Sequence, residues 1–249
     1  MSNIDPFPIE AFSKLFEAEE KHWWFVARNR IILWVMDVCL PSFNNFLEIG
    51  CGTGFVLNAV NKKFPRTELF GAEFYEEGLI YARLRVPQAK FSQLDAQLLD
   101  DVEMYDCVGA FDVLEHIEND ELVLRNIYRA LNPSGFLVMT VPQHKWLWSA
   151  VDSHAGHQRR YTKKELIDAT EAAGFQVEHV MSFVSMLLPL MWAARVLKRH
   201  EIGDDMAEME ISNRLNTALG WMMKAEFFLL KHGLRLPFGG SLLVVARRV

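Results

Sequence analysis

Apolar positions along the chain predict a helical start followed by alternating strands and helices. In the first forty residues apolar and aromatic side chains recur at roughly helical spacing, and Pro41 ends the run. Shorter apolar runs then alternate with stretches of helical length. The predicted strands are 45–50, 67–73, 90–93, 105–111 and 135–141, and the predicted helices are 55–64, 76–85 and 119–131. This alternation indicates βαβ crossovers and a mainly parallel sheet.

The second half of the chain predicts a polar loop, more helices and a closing strand. The loop covers 142–161, and the further elements are helices 163–173, 186–200 and 207–231 with strands 175–182 and 241–247. An apolar stripe marks the longest helix: Ile211, Leu215, Leu219, Met222, Phe227 and Leu230. A stripe this wide must be buried against something. It can roof a site, form a homodimer contact or touch a membrane surface.

Composition and charge narrow the classes of function. The 249 residues are 51% hydrophobic and 23% charged, which is ordinary globular composition. The formal charge is −6 and no broad basic stripe is present, so we expect no nucleic-acid partner. Three widely spaced cysteines and a start without a secretory pattern predict a cytoplasmic protein. The longest uncharged run, 180–194, is interrupted by Pro189 and is too short to span a membrane comfortably.

A glycine-rich turn follows the first predicted strand. Gly50, Gly52 and Gly54 let the backbone turn sharply and let a ligand approach closely. Glu73 ends the second strand about twenty residues further on, where a carboxylate can accept hydrogen bonds from ribose hydroxyls. Glu48 precedes the turn; a buried carboxylate is unfavourable beside a pyrophosphate but favourable beside a cationic sulfonium. These features favour S-adenosylmethionine over NAD, although a tight turn without a ligand remains an alternative.

Five motifs in order resemble the class I S-adenosylmethionine-dependent methyltransferases. They are FLEIGCGTG (46–54), GAEF (71–74), QLDA (93–96), YDCVGAFDVLEHI (105–117) and LNPSGFLVMTVP (131–142). Within that class the chain is most similar to the small-molecule group that includes ubiquinone-biosynthesis enzymes. The resemblance covers roughly 45–183.

The resemblance implies a fold and a domain organisation. The expected fold is an α/β, Rossmann-like, seven-stranded and mostly parallel sheet whose last strand, 241–247, is antiparallel. We expect a helical cap over 1–42 and a methyltransferase domain over 43–249. A helical insertion is expected at about 184–240, where related folds have a short hairpin.

The resemblance also implies a cofactor site for S-adenosyl-L-methionine. Glu73 would bind the ribose, Asp95 with the Ala96 backbone would read the adenine amine, and Phe111 with Asp112 would lie near the methionine part. The residues expected around the cofactor are Glu48, Gly50, Cys51, Gly52, Gly54, Glu73, Phe74, Asp95, Ala96, Phe111, Asp112 and Arg28. A solvated surface acid is the alternative for Glu73, Asp95 and Asp112.

Histidines near the end of the fourth strand and in the following loop are candidates for the acceptor side. His116 is the predicted catalytic base for a hydroxyl acceptor, because imidazole titrates near neutrality; capping or packing the next helix is its alternative. His154, His157, Arg160 and Tyr161 resemble a segment that borders the acceptor pocket, with a structural role as the alternative. We expect no metal, since no carboxylate-rich set accompanies the paired histidines in sequence.

The N-terminal segment KHWWFVARNR (21–30) combines aromatic and cationic residues. Trp24 and Arg28 lie four residues apart, share a helix face and could stack. One reading makes this helix a lid whose Arg28 reaches the cofactor carboxylate; the other is aromatic core packing.

These observations predict methyl transfer to a small or lipid-linked acceptor, with oxygen preferred because of His116. A non-catalytic, cofactor-binding regulator is the alternative, because binding and turnover are separate demands. An NAD-dependent oxidoreductase is disfavoured, because the turn lacks the GxGxxG spacing and Asp95 would have no role. Peripheral membrane contact through the insertion remains open.

Overall fold

The computed structural model describes residues 11–197 and 211–249. The N-terminal region contains two helices, α1 (Ala11–Ala18) and α2 (Trp23–Cys39), rather than one continuous run. The His22 side chain accepts a hydrogen bond from the Trp24 N–H at 3.3 Å and caps α2. The predicted helical character is confirmed, but the break between α1 and α2 was not predicted.

The central part of the chain alternates as the apolar pattern predicts. Its elements are β1 (Asn45–Ile49), α3 (Phe55–Lys63), β2 (Glu68–Glu73), α4 (Glu76–Arg85), β3 (Lys90–Gln93), β4 (Tyr105–Phe111), α5 (Asp120–Ala130) and β5 (Leu131–Pro142). The later elements are α6 (Ala150–His154), α7 (Lys163–Ala172), β6 (Phe175–Phe183), α8 (Leu188–Leu197), α9 (Asn213–Lys231) and β7 (Ser241–Arg248). The predicted helical stretches 198–200 and 207–210 lie outside the described residues.

The described residues form a seven-stranded sheet in the order β3-β2-β1-β4-β5-β7-β6. Neighbouring strands from β3 to β5 are parallel, whereas β7 is antiparallel to both β5 and β6. The predicted mostly parallel sheet with an antiparallel last strand is therefore confirmed. In register, Ile49 pairs with Ala72 of β2 and Ala110 of β4, so three strands end at one edge. Ligands bind beyond such carboxyl ends in folds of this kind.

Apolar clusters cover both faces of the sheet. On one face Ile32 and Met36 of α2 pack with Phe46 and Phe183. On the other face Leu47 packs with Ile127 of α5, and Leu166 of α7 belongs to the same cluster. This double coverage explains why the strands are apolar runs rather than strict alternations.

Helix α9 packs against α2. The Asn216 side chain joins them, because its Oδ1 accepts from the Trp23 N–H and its Nδ2 donates to the Lys21 carbonyl, each at 2.8 Å. Buried Glu226 accepts from the backbone N–H groups of Ser185 and Met186 at 3.0 and 2.9 Å. The predicted apolar stripe is buried at Leu219 and Leu230, but Leu215 is 46% exposed. Within the described residues, 11–197 and 211–249, we find no helix long and apolar enough to cross a membrane.

Candidate cofactor and acceptor site

The glycine turn after β1 is shaped to admit a ligand. Gly52 has a φ of +51°, and a Cβ built there would meet nothing within 4 Å, so open space faces this backbone. Gly54 has a φ of +76° and is the N-cap of α3, and a Cβ built there would approach Ala82 of α4 to 3.1 Å. Residues that carry a side chain rarely adopt this left-handed backbone conformation, whereas glycine does so readily. The adjacent Cys51 is buried, and burial raises the pKa of its thiol well above the usual range, so it lines the turn as a neutral group.

Glu48 is a buried carboxylate with an unmatched oxygen. Its side chain is 2% exposed and its Oε2 has no hydrogen-bond partner among the described residues. Burial raises its pKa well above the usual range, Glu19 and Glu73 add to the rise, and Arg28 opposes it. A nearby cationic ligand would stabilise the ionised form.

A groove of about 440 Å³ lies beyond the ends of β2 and β3. Its lining is formed by Phe74 to Glu77 and Gln93 to Asp95. Glu73 stands beside it and accepts from the N–H groups of Gly52 and Tyr75 at 2.8 and 3.0 Å. Burial raises the pKa of Glu73, although these two hydrogen bonds lower it. Phe74 presents a ring that is 54% exposed, which suits stacking on a flat base.

Asp95 holds the short helical turn that follows β3. Its Oδ1 accepts from the Gln97 N–H at 2.9 Å, and Ala96 behind it is buried. Asn126 of α5 fixes the same turn by donating to the Gln97 carbonyl at 2.8 Å. Phe111 is also buried, so it shapes the end of β4 from within the core.

Arg28 of α2 reaches the end of β4 and forms an ion pair with Asp112. Asp112 has a φ of +57°, and its other oxygen accepts from the Thr140 hydroxyl at 3.1 Å. The Nε of Arg28 is buried without a partner among the described residues. The expected stacking of Arg28 on Trp24 is wrong. Arg28 lies instead 5.9 Å from the Phe25 ring, because the Trp24 ring lies parallel to Phe183 at 6.1 Å.

His116 lies in a short helical turn directly after β4, beside two other chemically active groups. Its ring meets that of His157 edge-on, with 4.7 Å between centroids. Ligating atoms of Glu115, His116 and His157 all lie within 4.8 Å of one another, a spacing that could hold a divalent cation. Glu115 is fully buried and neither of its carboxylate oxygens has a partner among the described residues. Glu115 and His116, rather than His154, share this group with His157, and the expectation of no metal stays a prediction.

Burial sets the protonation of this cluster. It lowers the pKa of His116 to about 4, with the neighbouring His157 adding to the effect and Asp112 opposing it. His116 is therefore a neutral imidazole near pH 7. Burial and the Asp112 carboxylate raise the pKa of Glu115 well above its usual range.

Asp152 orients the loop that carries His157. It accepts from His157 Nδ1 at 2.9 Å and from Arg160 Nε at 2.6 Å, and it closes a capping box with Ser149 on α6. Burial alone would raise the pKa of Asp152, but the His157 hydrogen bond and the Arg160 charge lower it to about 2. Because Asp152 holds Nδ1 of His157, Nε2 is the ring nitrogen that can contact a ligand.

The chain is similar in sequence to a family of known proteins. Residues 17–180 match a protein family described as a methyltransferase domain, which is more than half of the chain. The chain belongs to this methyltransferase family. The resemblance identified from the five motifs is thereby confirmed.

Relatives of this methyltransferase chain are similar over part of their length. A malonyl-[acyl-carrier protein] O-methyltransferase of Bacillus cereus is 29% identical, over 50% of this chain and 46% of the relative. A ubiquinone biosynthesis O-methyltransferase of Pseudomonas putida is 27% identical, over 54% of this chain and 62% of the relative. The chain therefore spans about half to two thirds of the curated relatives it matches. A Haemonchus contortus phosphoethanolamine N-methyltransferase structure, with S-adenosyl-L-methionine, shares the fold with a TM-score of 0.60 and 18% identity, over 89% of this chain and 52% of that one.

Of the remaining residues predicted for the acceptor side, one is exposed and two form hydrogen bonds within the protein. His154 is exposed at the end of α6 and is not in the Glu115–His116–His157 group. Arg160 is 7% exposed and also donates to the Gln143 carbonyl at 3.1 Å. Tyr161 is buried and donates its hydroxyl proton to Asp120 at 2.5 Å. The contacts of Arg160 and Tyr161 hold the loop in place, and their binding of an acceptor stays a prediction.

Sequence reasoning missed a buried connection between the N-terminal segment and the glycine turn. Glu19, just after α1, pairs with Arg85 at 2.6 Å and accepts a hydrogen bond from the Thr53 hydroxyl. Arg85 also donates to the Phe16 carbonyl at 3.0 Å. Glu19 stands in an EAEEK run that resembles a solvated surface, so nothing in the sequence marked it. Asp152 was also missed, although the SxxD spacing after Ser149 is a capping signal that could have found it.

Proposed function

We propose that this chain uses S-adenosyl-L-methionine to methylate an oxygen atom of a small, apolar or lipid-linked acceptor. The observation that carries the proposal is a neutral, half-buried His116 at the sheet edge that also holds the glycine turn and its carboxylates. The names of the relatives, which are O-methyltransferases, support oxygen as the acceptor atom.

The charges of the polar groups at this edge support binding of the cofactor there. Glu48 would face the positive sulfonium and ammonium groups of the cofactor. Glu73 would bind the ribose, and Asp95 with Ala96 would bind the adenine. Arg28, with its unpartnered Nε, would bind the methionine carboxylate while Asp112 holds the guanidinium. When bound, S-adenosylmethionine supplies a methyl group activated by the sulfonium.

The protein's part in the reaction is positioning, water exclusion and proton removal. The residues around the glycine turn would hold the cofactor, which would supply the methyl group for transfer to an acceptor oxygen. The hydroxyl proton passes to the neutral imidazole of His116. His157, oriented by Asp152, borders the acceptor on the same side.

We also propose a domain organisation in which residues 1–42 form a cap and about 184–240 form a roof added to the methyltransferase domain. The Glu19 and Arg28 contacts support the cap. The packing of α9 against α2 supports a joint cover made by both additions.

Replacement of His116 tests the proposed base. We expect His116→Gln to lower kcat by about 10²–10⁴-fold while cofactor affinity stays within about twofold. Because the base must be unprotonated, kcat/KM of the parent protein should fall only below about pH 4–5, and the variant should lose this acidic limb. The measurement is S-adenosylhomocysteine release from alkyl-chain phenols, catechols and carboxylic acids, with NMR identification of the O-methyl product.

Two controls separate the possible outcomes. His232→Gln, which changes an exposed histidine at the end of α9, should retain activity. Loss of activity with a chelator and recovery with Zn²⁺ or Mg²⁺ would make His116 a metal ligand instead of the base. Parental kcat in His116→Gln would refute the proposed role, and cofactor binding without turnover of any acceptor would favour the regulatory alternative.

A further inference from the structure

Helix α9 is amphipathic, and its outward face combines aromatic and cationic side chains. Leu219, Met223 and Leu230 point inward, whereas Trp221 and Phe228 are 65% and 62% exposed. Because residues seven apart lie on one helix face, these two rings share the outward side. The exposed cations Arg214, Lys224 and Lys231 project from the same side, within about a third of a turn of Trp221.

The loop after α9 adds further exposed apolar and cationic side chains. Gly233, with a φ of +82°, ends the helix, and the Leu234 N–H returns to the Leu229 carbonyl at 3.0 Å. Leu234, Leu236 and Phe238 are then 61%, 45% and 60% exposed, and Arg235 between them is exposed as well. We call the whole set the aromatic–basic surface: Trp221, Phe228, Leu234, Leu236 and Phe238 with Arg214, Lys224, Lys231 and Arg235.

The charge of this segment opposes that of the chain. Residues 211–240 carry four Lys and Arg side chains and one carboxylate, whereas the whole chain has a formal charge of −6. The carboxylate is Glu226, which is 2% exposed and occupied by two backbone N–H groups. The exposed formal charges of residues 211–240 are therefore all positive. Lys224 Nζ lies 4.7 Å from the Trp221 ring, so charge and apolar area are adjacent.

We propose that the aromatic–basic surface docks on a membrane surface that contains anionic lipid. Aromatic and aliphatic side chains insert at the boundary between headgroups and acyl chains, and neighbouring cations pair with lipid phosphates. A symmetric contact with a second copy is disfavoured, because a two-fold axis would bring this cationic patch against itself. The proposal is independent of methyl transfer, so its test needs neither cofactor nor acceptor.

Vesicle flotation of the full chain tests the proposal. We expect binding to phosphatidylcholine vesicles that contain about one third phosphatidylglycerol, weak binding to pure phosphatidylcholine, and release as salt screens the charges. The double variants Trp221→Ala/Phe228→Ala and Lys224→Glu/Lys231→Glu should each lower the partition coefficient by about tenfold or more. Because these side chains are exposed, the unfolding temperature should change little.

The matched control variants change exposed apolar and exposed cationic side chains outside the aromatic–basic surface. Leu84→Ala/Val102→Ala removes two other exposed apolar side chains, and Lys62→Glu/Arg66→Glu reverses two other exposed charges. Both controls should bind as the parent chain does. The proposal is overturned by absence of binding to either vesicle, by equal binding to both, or by equal loss in the controls. A concentration-dependent dimer that Trp221→Ala/Phe228→Ala abolishes, without vesicle binding, would assign the surface to a second copy instead.

Discussion

At the scale of single residues, the site is marked by buried polar groups for which the described part of the chain offers no hydrogen-bond partner. Buried polar atoms in native proteins nearly always have a partner. Glu48 and Glu115 depart from this rule near the same edge of the sheet, and the charge of Arg28 acts on both carboxylates. Such groups are stabilised when a ligand of complementary charge arrives.

Removal of Glu73 should weaken the cofactor site. We expect Glu73→Ala to lower the affinity for S-adenosylmethionine by roughly 1–3 kcal/mol, because charge-assisted hydrogen bonds to the ribose are left unmade. Glu73→Gln, which keeps an acceptor oxygen, should lose less. Titration calorimetry measures the affinity, with Glu68→Ala at the distant start of β2 as the control. Unchanged affinity in Glu73→Ala would remove this residue from the site.

Residue-level prediction succeeded where local sequence fixes the geometry. The positions of Gly50, Gly52 and Glu73 follow from a strand, a turn and a second strand in order. The grouping of Glu115 with His157 did not follow, because their distance depends on how a loop of twenty residues (142–161) folds back. Asp152 decides that path through its contacts with His157 and Arg160.

At the scale of elements, the N-terminal helices are attached to the sheet by charge as well as by apolar packing. The Glu19–Arg85 pair is 9% and 4% exposed and joins the end of α1 to α4 across the glycine turn. The apolar spacing predicted helices here but not the break after α1, since it continues through the break. His22 caps α2, but histidine is not among the residues favoured at this position, so no signal in the sequence marks the start of α2.

Disruption of this pair should be costly for folding. We expect Arg85→Ala to lower the free energy of unfolding by about 3–5 kcal/mol, because Glu19 would remain buried without its cation. The double variant Glu19→Gln/Arg85→Met should be less destabilised than Arg85→Ala. Urea denaturation gives both values, and Arg83→Ala, which breaks the exposed pair with Glu76, is the control. A loss below about 1 kcal/mol in Arg85→Ala would show that the pair contributes no more than a surface pair does.

At the scale of the whole molecule, the mostly parallel sheet with an antiparallel last strand was predictable because the motifs occur in the order of a known family fold. The placement of the added helices was not. The stripe on α9 indicates that burial is required, but it does not identify the partner. In the structure, the Asn216 and Glu226 contacts identify α2 and the segment after β6 as neighbours of α9.

Cofactor binding should stabilise the entire domain. At a concentration of about 100 times Kd, S-adenosylmethionine should add about 2.7 kcal/mol to the free energy of unfolding. For a chain of this size the melting temperature should rise by roughly 5–11 °C. Differential scanning calorimetry with S-adenosylmethionine and with NAD measures the two effects. Equal stabilisation by NAD would contradict the assignment of the glycine turn.

The position of β7 between β5 and β6 also fixes an order of events during translation. β7 is the last of the seven described strands in the chain, and it fills an interior position of the sheet. The edge strand β6 therefore has no hydrogen-bonding neighbour in this sheet until the ribosome has added residues 184–248. At common elongation rates this interval lasts roughly 3–13 s. Throughout it, the nascent chain presents an unpaired edge of β5 and an unpaired β6, which are two competing templates for wrong pairing. Factors that shield newly made strands should therefore affect the yield of this protein most strongly while residues 184–248 are being synthesised.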